Sequence, residues 1–351
     1  MMSFGYSVLG SAHELYIMET HFGIVSLNDG TQTCIPQQYP FCGPWGENVV
    51  EIASIRETMP SPISIELAYL SIIEEKFYYL SIPINPWVME GVFEKFTKQS
   101  SITPYYIMVG MAPYGGIALW LGNSQKQSLL GWLTTEVIEI PMKDFLPQQP
   151  DLQLHDYCMD YINNDPVVKQ NLETNGLPPR DLFDNYMKQF TYRFLLLFEH
   201  WDEDEGKWQP YTEEEQETKP KLDYIEEALY DGTHDKLHDG GLLNYHEAGK
   251  PKKLAMKWHI KKSEYMAYFW FDDEAIRSVF DKFYGIHPDI KTDFVIHIDP
   301  EKKKYQLALY RYGMNEPKPI SEDVYQLIVF KNKFEQYRSE NYNQPRGAWV
   351  W

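Results

Sequence analysis

The sequence of 351 residues is short of cysteine, short of basic charge and without a long apolar run. Its three cysteines, Cys34, Cys42 and Cys158, are too few for a disulfide framework. Cys34 and Cys42 could pair, but free buried thiols are the expected state. Lysine and arginine number 32 against 51 aspartates and glutamates, a formal net charge of −19. That sign opposes nucleic-acid binding, which needs cations to neutralise phosphates, and adhesion to an anionic membrane. It suits a soluble protein or the receiver of a basic partner. No stretch of about 18 apolar residues occurs, so no membrane-spanning segment is expected. Met1-Met2-Ser3-Phe4-Gly5-Tyr6 carries no basic run, so no signal peptide is read. The expectation is a cytoplasmic protein as the sequence stands, and a periplasmic one if a leader has been removed.

Catalytic signatures are missing as well. There is no H-E-x-x-H, G-x-S-x-G, C-x-x-C or G-x-G-x-x-G. Gly110 and Gly115 have phosphate-loop spacing, but the Lys and Ser/Thr that would meet phosphate do not follow. A turn between strands is expected there instead. His234 and His238, with Asp235, Asp239 and His246 nearby, include a zinc-like spacing. Gly232, Gly240 and Gly241 around them point to a polar loop. His155 precedes Cys158 by three residues, which does not by itself place a base beside the thiol. No catalytic, cofactor-binding or metal-binding residue is therefore assigned, and no cofactor is expected.

What the chain does have is aromatics, 15% of its residues, which favour strands. It also resembles itself. Leu67–Phe96 aligns with Leu254–Phe283 without a gap. Ile63, Ile65, Leu67 and Tyr69 alternate, Glu74-Glu75 turns the chain, and Tyr78, Leu80, Ile82 and Ile84 alternate again. Leu254, Met256, Trp258 and Ile260, then Lys261-Lys262-Ser263, then Tyr265, Ala267, Phe269 and Phe271 repeat that pattern. Each predicted hairpin leads into a helix. Asn85 and Asp272 are N-cap residues, and Pro86 suits the first helical position. The apolar stripes are Met89, Val92, Phe93, Phe96 and Ile276, Val279, Phe280, Phe283. Tyr105–Met111, Ile117–Trp120 and Leu129–Ile140 read as further strands, matched by Phe294–Ile298, Leu307–Tyr310 and Val324–Phe330.

The expected fold is α+β: two related β-rich lobes, each an antiparallel sheet with one amphipathic helix in β-β-α-β-β-β order, arisen by internal duplication. The first lobe spans 1–150 with its helix at about 86–98. A proline-punctuated segment, 151–180, connects to the second lobe, 181–351, with its helix at about 273–284. A short helix is expected within Val167–Glu173, and a buried strand over Phe190–Trp201. The segment 201–230 holds 11 acids against 3 lysines. Its densest runs, Asp202, Glu203, Asp204, Glu205 and Glu213, Glu214, Glu215, are the candidate partner-binding residues.

Glu74-Glu75-Lys76-Phe77-Tyr78-Tyr79 and the run from Val109 to Leu121, together with Gly43-Pro44-Trp45-Gly46, resemble the bacterial family known as domain of unknown function 2931. The Gly-x-Ala-Pro-x-Gly-Gly turn is the most specific part. The second half resembles long, two-lobed members more loosely. The resemblance implies no enzymatic activity. It gives Gly110, Ala112, Pro113, Gly115 and Gly116 a structural role in a tight reversal. Many members resemble lipoproteins, but Cys34 lacks the apolar leader of a lipidated cysteine. Some related genes lie beside type VI secretion genes, which implies a toxin-neutralising role. The leading expectation is thus a non-enzymatic binding protein, an immunity protein that occludes a basic effector. The alternatives are a hydrolase of carbohydrate or lipid using paired carboxylates, or a structural protein without a ligand.

Overall fold

Alternation at 63–69 does make a strand. In the computed structural model, which describes residues 3–35, 40–47, 50–51, 58–99, 104–215, 219–237, 244–332 and 335–340, Pro62–Ser71 pairs antiparallel with Lys76–Pro83. Ile65, Leu67 and Tyr69 point to one side and are buried, as period-two alternation demands. The chain divides into two compact units. One is Met1–Asn185 with Asp231–Thr233. The other is Tyr186–Tyr230 with His234–Trp351.

The first unit has two main sheets. One runs Glu136–Ile138, Lys76–Pro83, Pro62–Ser71, Met18–Leu27, Gln32–Cys34, antiparallel throughout. The other runs Gln127–Thr134, Gly116–Gly122, Tyr105–Met111, Tyr6–Ala12, Val50–Glu51. Tyr6–Ala12 and Tyr105–Met111 are parallel, so the unit is not a single antiparallel sheet. The helix Pro86–Gln99 starts where Asn85 Oδ1 accepts the Trp87 N–H at 3.0 Å. Its Phe93 meets Tyr6, and its Phe96 meets Tyr105, at centroid distances of 5.2 and 6.0 Å.

Two sequence expectations change here. The strand expected over 129–140 breaks in two, and its halves join different sheets. Thr135 is the crossing point, its N–H and hydroxyl both donating to the Gly115 carbonyl at 2.8 Å. Residues 151–180, expected to connect lobes, form helices Leu154–Asn164 and Pro166–Asn175 inside the first unit. Pro166 opens a helix rather than breaking one, because Asp165 Oδ1 accepts from Val167 and Val168. Buried Tyr157, Cys158, Ile162 and Val168 fix this segment.

The second unit is built in the same strand order. One sheet runs Tyr325–Lys331, Ser263–Phe271, Pro251–Ile260, Lys221–Leu229, His234–Leu237, with Glu335–Glu340 added at the first edge. The other runs Lys318–Pro319, Lys304–Arg311, Thr292–Asp299, Phe190–Asp202, Lys207–Pro210. Phe190–Asp202 and Thr292–Asp299 are again the parallel pair. Helix Asp273–Tyr284 is capped by Asp272 Oδ1, which accepts the Ala275 N–H at 2.9 Å. Phe190, Tyr192, Phe194, Leu196 and Phe198 alternate into the core and meet Ile276, Phe280, Phe294 and Ile296.

Candidate functional site

Two places bring sequence-derived residues together. In the first unit the turn Ala112–Gly116 lies under a tyrosine and glutamate network. Tyr69, fully buried, donates its hydroxyl to the Ala112 carbonyl at 2.9 Å. Glu74 accepts the Tyr114 backbone N–H through Oε2 and the Tyr78 hydroxyl through Oε1, both at 2.8 Å. The Tyr114 hydroxyl donates to the Pro178 carbonyl at 2.8 Å, and the Arg180 guanidinium sits 5.3 Å from the ring centroid. These bonds hold Tyr114 in the left-handed region, φ 60° and ψ 22°, which a non-glycine residue adopts at a cost of about 1–3 kcal/mol. Burial, with the bond to Glu74 next, raises the Tyr78 phenol above its ordinary range.

The glycines of this motif have two separate jobs. Gly115 takes φ +79° and turns the chain with Pro113, as the resemblance implies. Gly110 and Gly116 lie in strands and do not turn it. A Cβ on Gly110 would overlap the Trp120 ring, and one on Gly116 would overlap the Trp132 ring. Both positions must be bare so that an indole can lie flat across the sheet. Ala112 is fully buried beneath the turn.

In the second unit the strand Phe190–Asp202 runs on into a hairpin with Lys207–Pro210, register Trp201↔Trp208. Asp202 Oδ1 accepts the N–H groups of Asp204 and Glu205 at 2.9 and 3.0 Å, and Gly206 takes φ +63° to close the turn. Glu205 pairs with Lys207. Glu215 accepts the Thr212 N–H and hydroxyl at 2.9 and 2.7 Å, which holds its carboxyl below the ordinary range. Asp202, Glu205 and Glu215 thus build the local structure. Glu203, Asp204, Glu213 and Glu214 are exposed.

On the hairpin itself lies an aromatic cluster that composition alone did not locate. Trp201 and Trp208 meet edge to face, centroids 5.2 Å apart. His297 stacks on Trp208 at 5.0 Å and contacts Glu199 at 2.5 Å through Nδ1. Trp208 Nε1 donates to Gln306 Oε1 at 2.6 Å, and Lys304 Nζ lies 3.5 Å from the Trp201 centroid. Both indoles are half-buried, anchored along one side by these partners. The parallel register Leu197↔His297 that assembles the cluster has no signature in local sequence.

The other candidates are placed as follows. Cys158 is buried, and desolvation pushes its thiol up to about 12, so it is a poor nucleophile. His155 contacts Glu75 at 2.7 Å. Cys34 and Cys42 are thiols with no disulfide between them; Cys34 is exposed rather than buried, and Cys42, half-buried, points Sγ at Asp165 Oδ2, 3.8 Å away. A shallow cleft of about 180 Å³ adjoins Cys42, lined by Phe41, Tyr161 and Asn164. His246 contacts the buried carboxylate of Glu227 at 3.3 Å. His238, Asp239, Gly240 and Gly241 lie outside the described residues. Among the described residues no group of three or more His, Cys, Asp or Glu is arranged to hold a metal ion. Among them, too, no helix is long and apolar enough to cross a membrane.

Comparison with curated proteins and with solved structures finds no match to the chain. Comparison with family models does, and the matched stretch, residues 18–178, contains Tyr69, Glu74, Tyr78 and the whole turn that they hold. Residues 18–178 match the model of the family described as Protein of unknown function (DUF2931).

Proposed function

We propose that this chain is a non-enzymatic binding protein that receives a basic protein partner at the acid-tipped hairpin of its second unit. The observation that carries the reading is the hairpin itself, whose tip exposes Glu203 and Asp204 and whose strands carry the half-buried Trp201–Trp208 pair, with exposed Glu213 and Glu214 following it in sequence. Carboxylates outside the local hydrogen bonding steer an oppositely charged surface. Partly exposed, rigidly held tryptophans are the side chains that most often dominate binding energy. The partner class we propose is a type VI secretion effector, in keeping with the resemblance to genes found beside such systems. Neutralisation is by occlusion: an interface of about 1,600 Å² suffices to cover a toxin active site. Co-expression with a basic type VI secretion effector from the same genome tests the idea. Restored growth and co-purification are expected; undiminished toxicity with no complex would refute it.

We also propose that the two units arose by duplication of one ancestral unit. The common strand order, the parallel pair in each and the matched helix starts at Pro86 and Asp273 support this reading. Under it, the acidic hairpin is an addition to a frame that both units keep.

A further inference from the structure

Helix Pro86–Gln99 turns one strip of side chains outward. Trp87 is 77% exposed and Val88 61%. Gly91, Lys95 and Lys98 are exposed as well. These positions share one side of a 3.6-residue helix, and the core residues Met89, Phe93 and Phe96 share the other. Gly91 has no internal reason to be glycine. A Cβ there would meet nothing within 4 Å among the described residues, and a glycine inside a helix disfavours it. Among the described residues nothing explains the bare backbone.

The strip is self-complementary about Gly91. Trp87 lies four residues before it and Lys95 four residues after, one helical turn each way. Two such helices packed antiparallel, with Gly91 of each at a twofold axis, bring every Trp87 over the Lys95 of the other copy. That forms the same cation–π pair twice. Val88 of each copy extends the apolar patch, and bare Gly91 lets the backbones approach. A contact that pairs residue i with j and j with i is what a twofold interface requires. The corresponding helix of the second unit, Asp273–Tyr284, lacks this strip. The ungapped alignment puts Glu274, Ala275 and Ser278 where Trp87, Val88 and Gly91 stand in the first unit.

We propose that the exposed face of helix Pro86–Gln99 is a self-association surface, and that its occupant is a second copy of this chain in a twofold dimer. The patch is narrow beside a standard interface of about 1,600 Å², so the dimer is weak and depends on concentration.

Sedimentation velocity of the full chain, under reducing conditions, tests this between roughly 5 μM and 500 μM, the range that weak association calls for. A monomer passing to a dimer and no further is expected. Gly91→Gln should weaken the dimer at least tenfold while the melting temperature holds or rises, because glutamine is the better helix former. Trp87→Glu should do the same through loss of the indole. A chain that stays monomeric throughout overturns the proposal, as it would if another protein or a lipid were the true occupant. Growth beyond the dimer overturns it too, since that signals a head-to-tail contact. So does a dimer that survives both substitutions.

Discussion

Between Tyr6–Ala12 and Met18–Leu27 the first unit uses only residues 13–17. At the corresponding connection the second unit runs from Asp202 to Lys221. Its first strand is 13 residues long against 7, and it carries the acid-tipped hairpin on the extension. The frames around these connections keep the same strand order. A stacked aromatic pair, Tyr69–Tyr78 in one and Trp258–Tyr265 in the other, occupies the central hairpin of each. The difference teaches where each kind of information sits. Burial dictates the frame, because a one-residue slip in register turns a strand's whole buried set to the other face. The connections are free to carry charge and half-buried aromatics. The turns diverge in the same way. Glu74 and Tyr114 lock the first unit's turn, whereas Asp299 Oδ1 holds the second's by accepting from Glu301 and Lys302.

The sharpest way to break this comparison is at its shared core. Phe93→Ala and Phe280→Ala, at matched positions of the two helices, each empty a fully buried site. Each should cost about 3–5 kcal/mol, read by chemical denaturation. Hydrogen exchange should show each loss concentrated in the mutated unit. A large effect in one unit and none in the other would undo the equivalence. Next in size is Gly110→Ala, at a position that the same alignment, carried on, matches to His297. Its Cβ strikes the immobile Trp120 ring, and a loss of about 1–3 kcal/mol is expected by the same measurement.

A comparable effect follows from Glu19, whose carboxyl burial pushes up to about 7, against the hydrogen bond from Tyr157. The folded unit keeps the proton that the unfolded chain releases near its ordinary value. Stability is therefore fully present below that value and falls as pH rises through about 7, by roughly 3 kcal/mol in all. Glu19→Gln should flatten this fall. At pH about 8 it should be the more stable protein, and a pH series of melts would check it. Glu74→Gln, which weakens the hold on Tyr114, should cost about 1–2 kcal/mol. The smallest stability effect belongs to the hairpin acids: reversing Glu203 and Asp204 to lysine should change it by about 0.5 kcal/mol or less, since both are exposed.

Much of the frame was legible in the residues. Two hairpins announced themselves by alternation, and two helices by cap and stripe, because period and capping are local properties. The pairing of Tyr6–Ala12 with Tyr105–Met111 was not, for parallel partners lie far apart in sequence. Helix Leu154–Asn164 was hidden by neighbouring prolines, one of which opens the next helix. At the sites, the acidic runs were visible by composition, but which acids fold the hairpin and which face outward was not. That division depends on backbone geometry at Asp202 and Thr212. The glycines were legible as a motif, yet only the rings of Trp120 and Trp132 explain why Gly110 and Gly116 are bare.

The acid-tipped hairpin as a steering surface is tested most directly by association kinetics. The chain and a variant with Glu203, Asp204, Glu213 and Glu214 changed to lysine would each be mixed with the effector proposed as partner, in stopped flow, over a range of salt. The account predicts that the wild-type association rate falls steeply with salt and that the variant associates at least about tenfold more slowly at low salt, with little salt dependence left. Equal rates and equal salt dependence for the two proteins would contradict it.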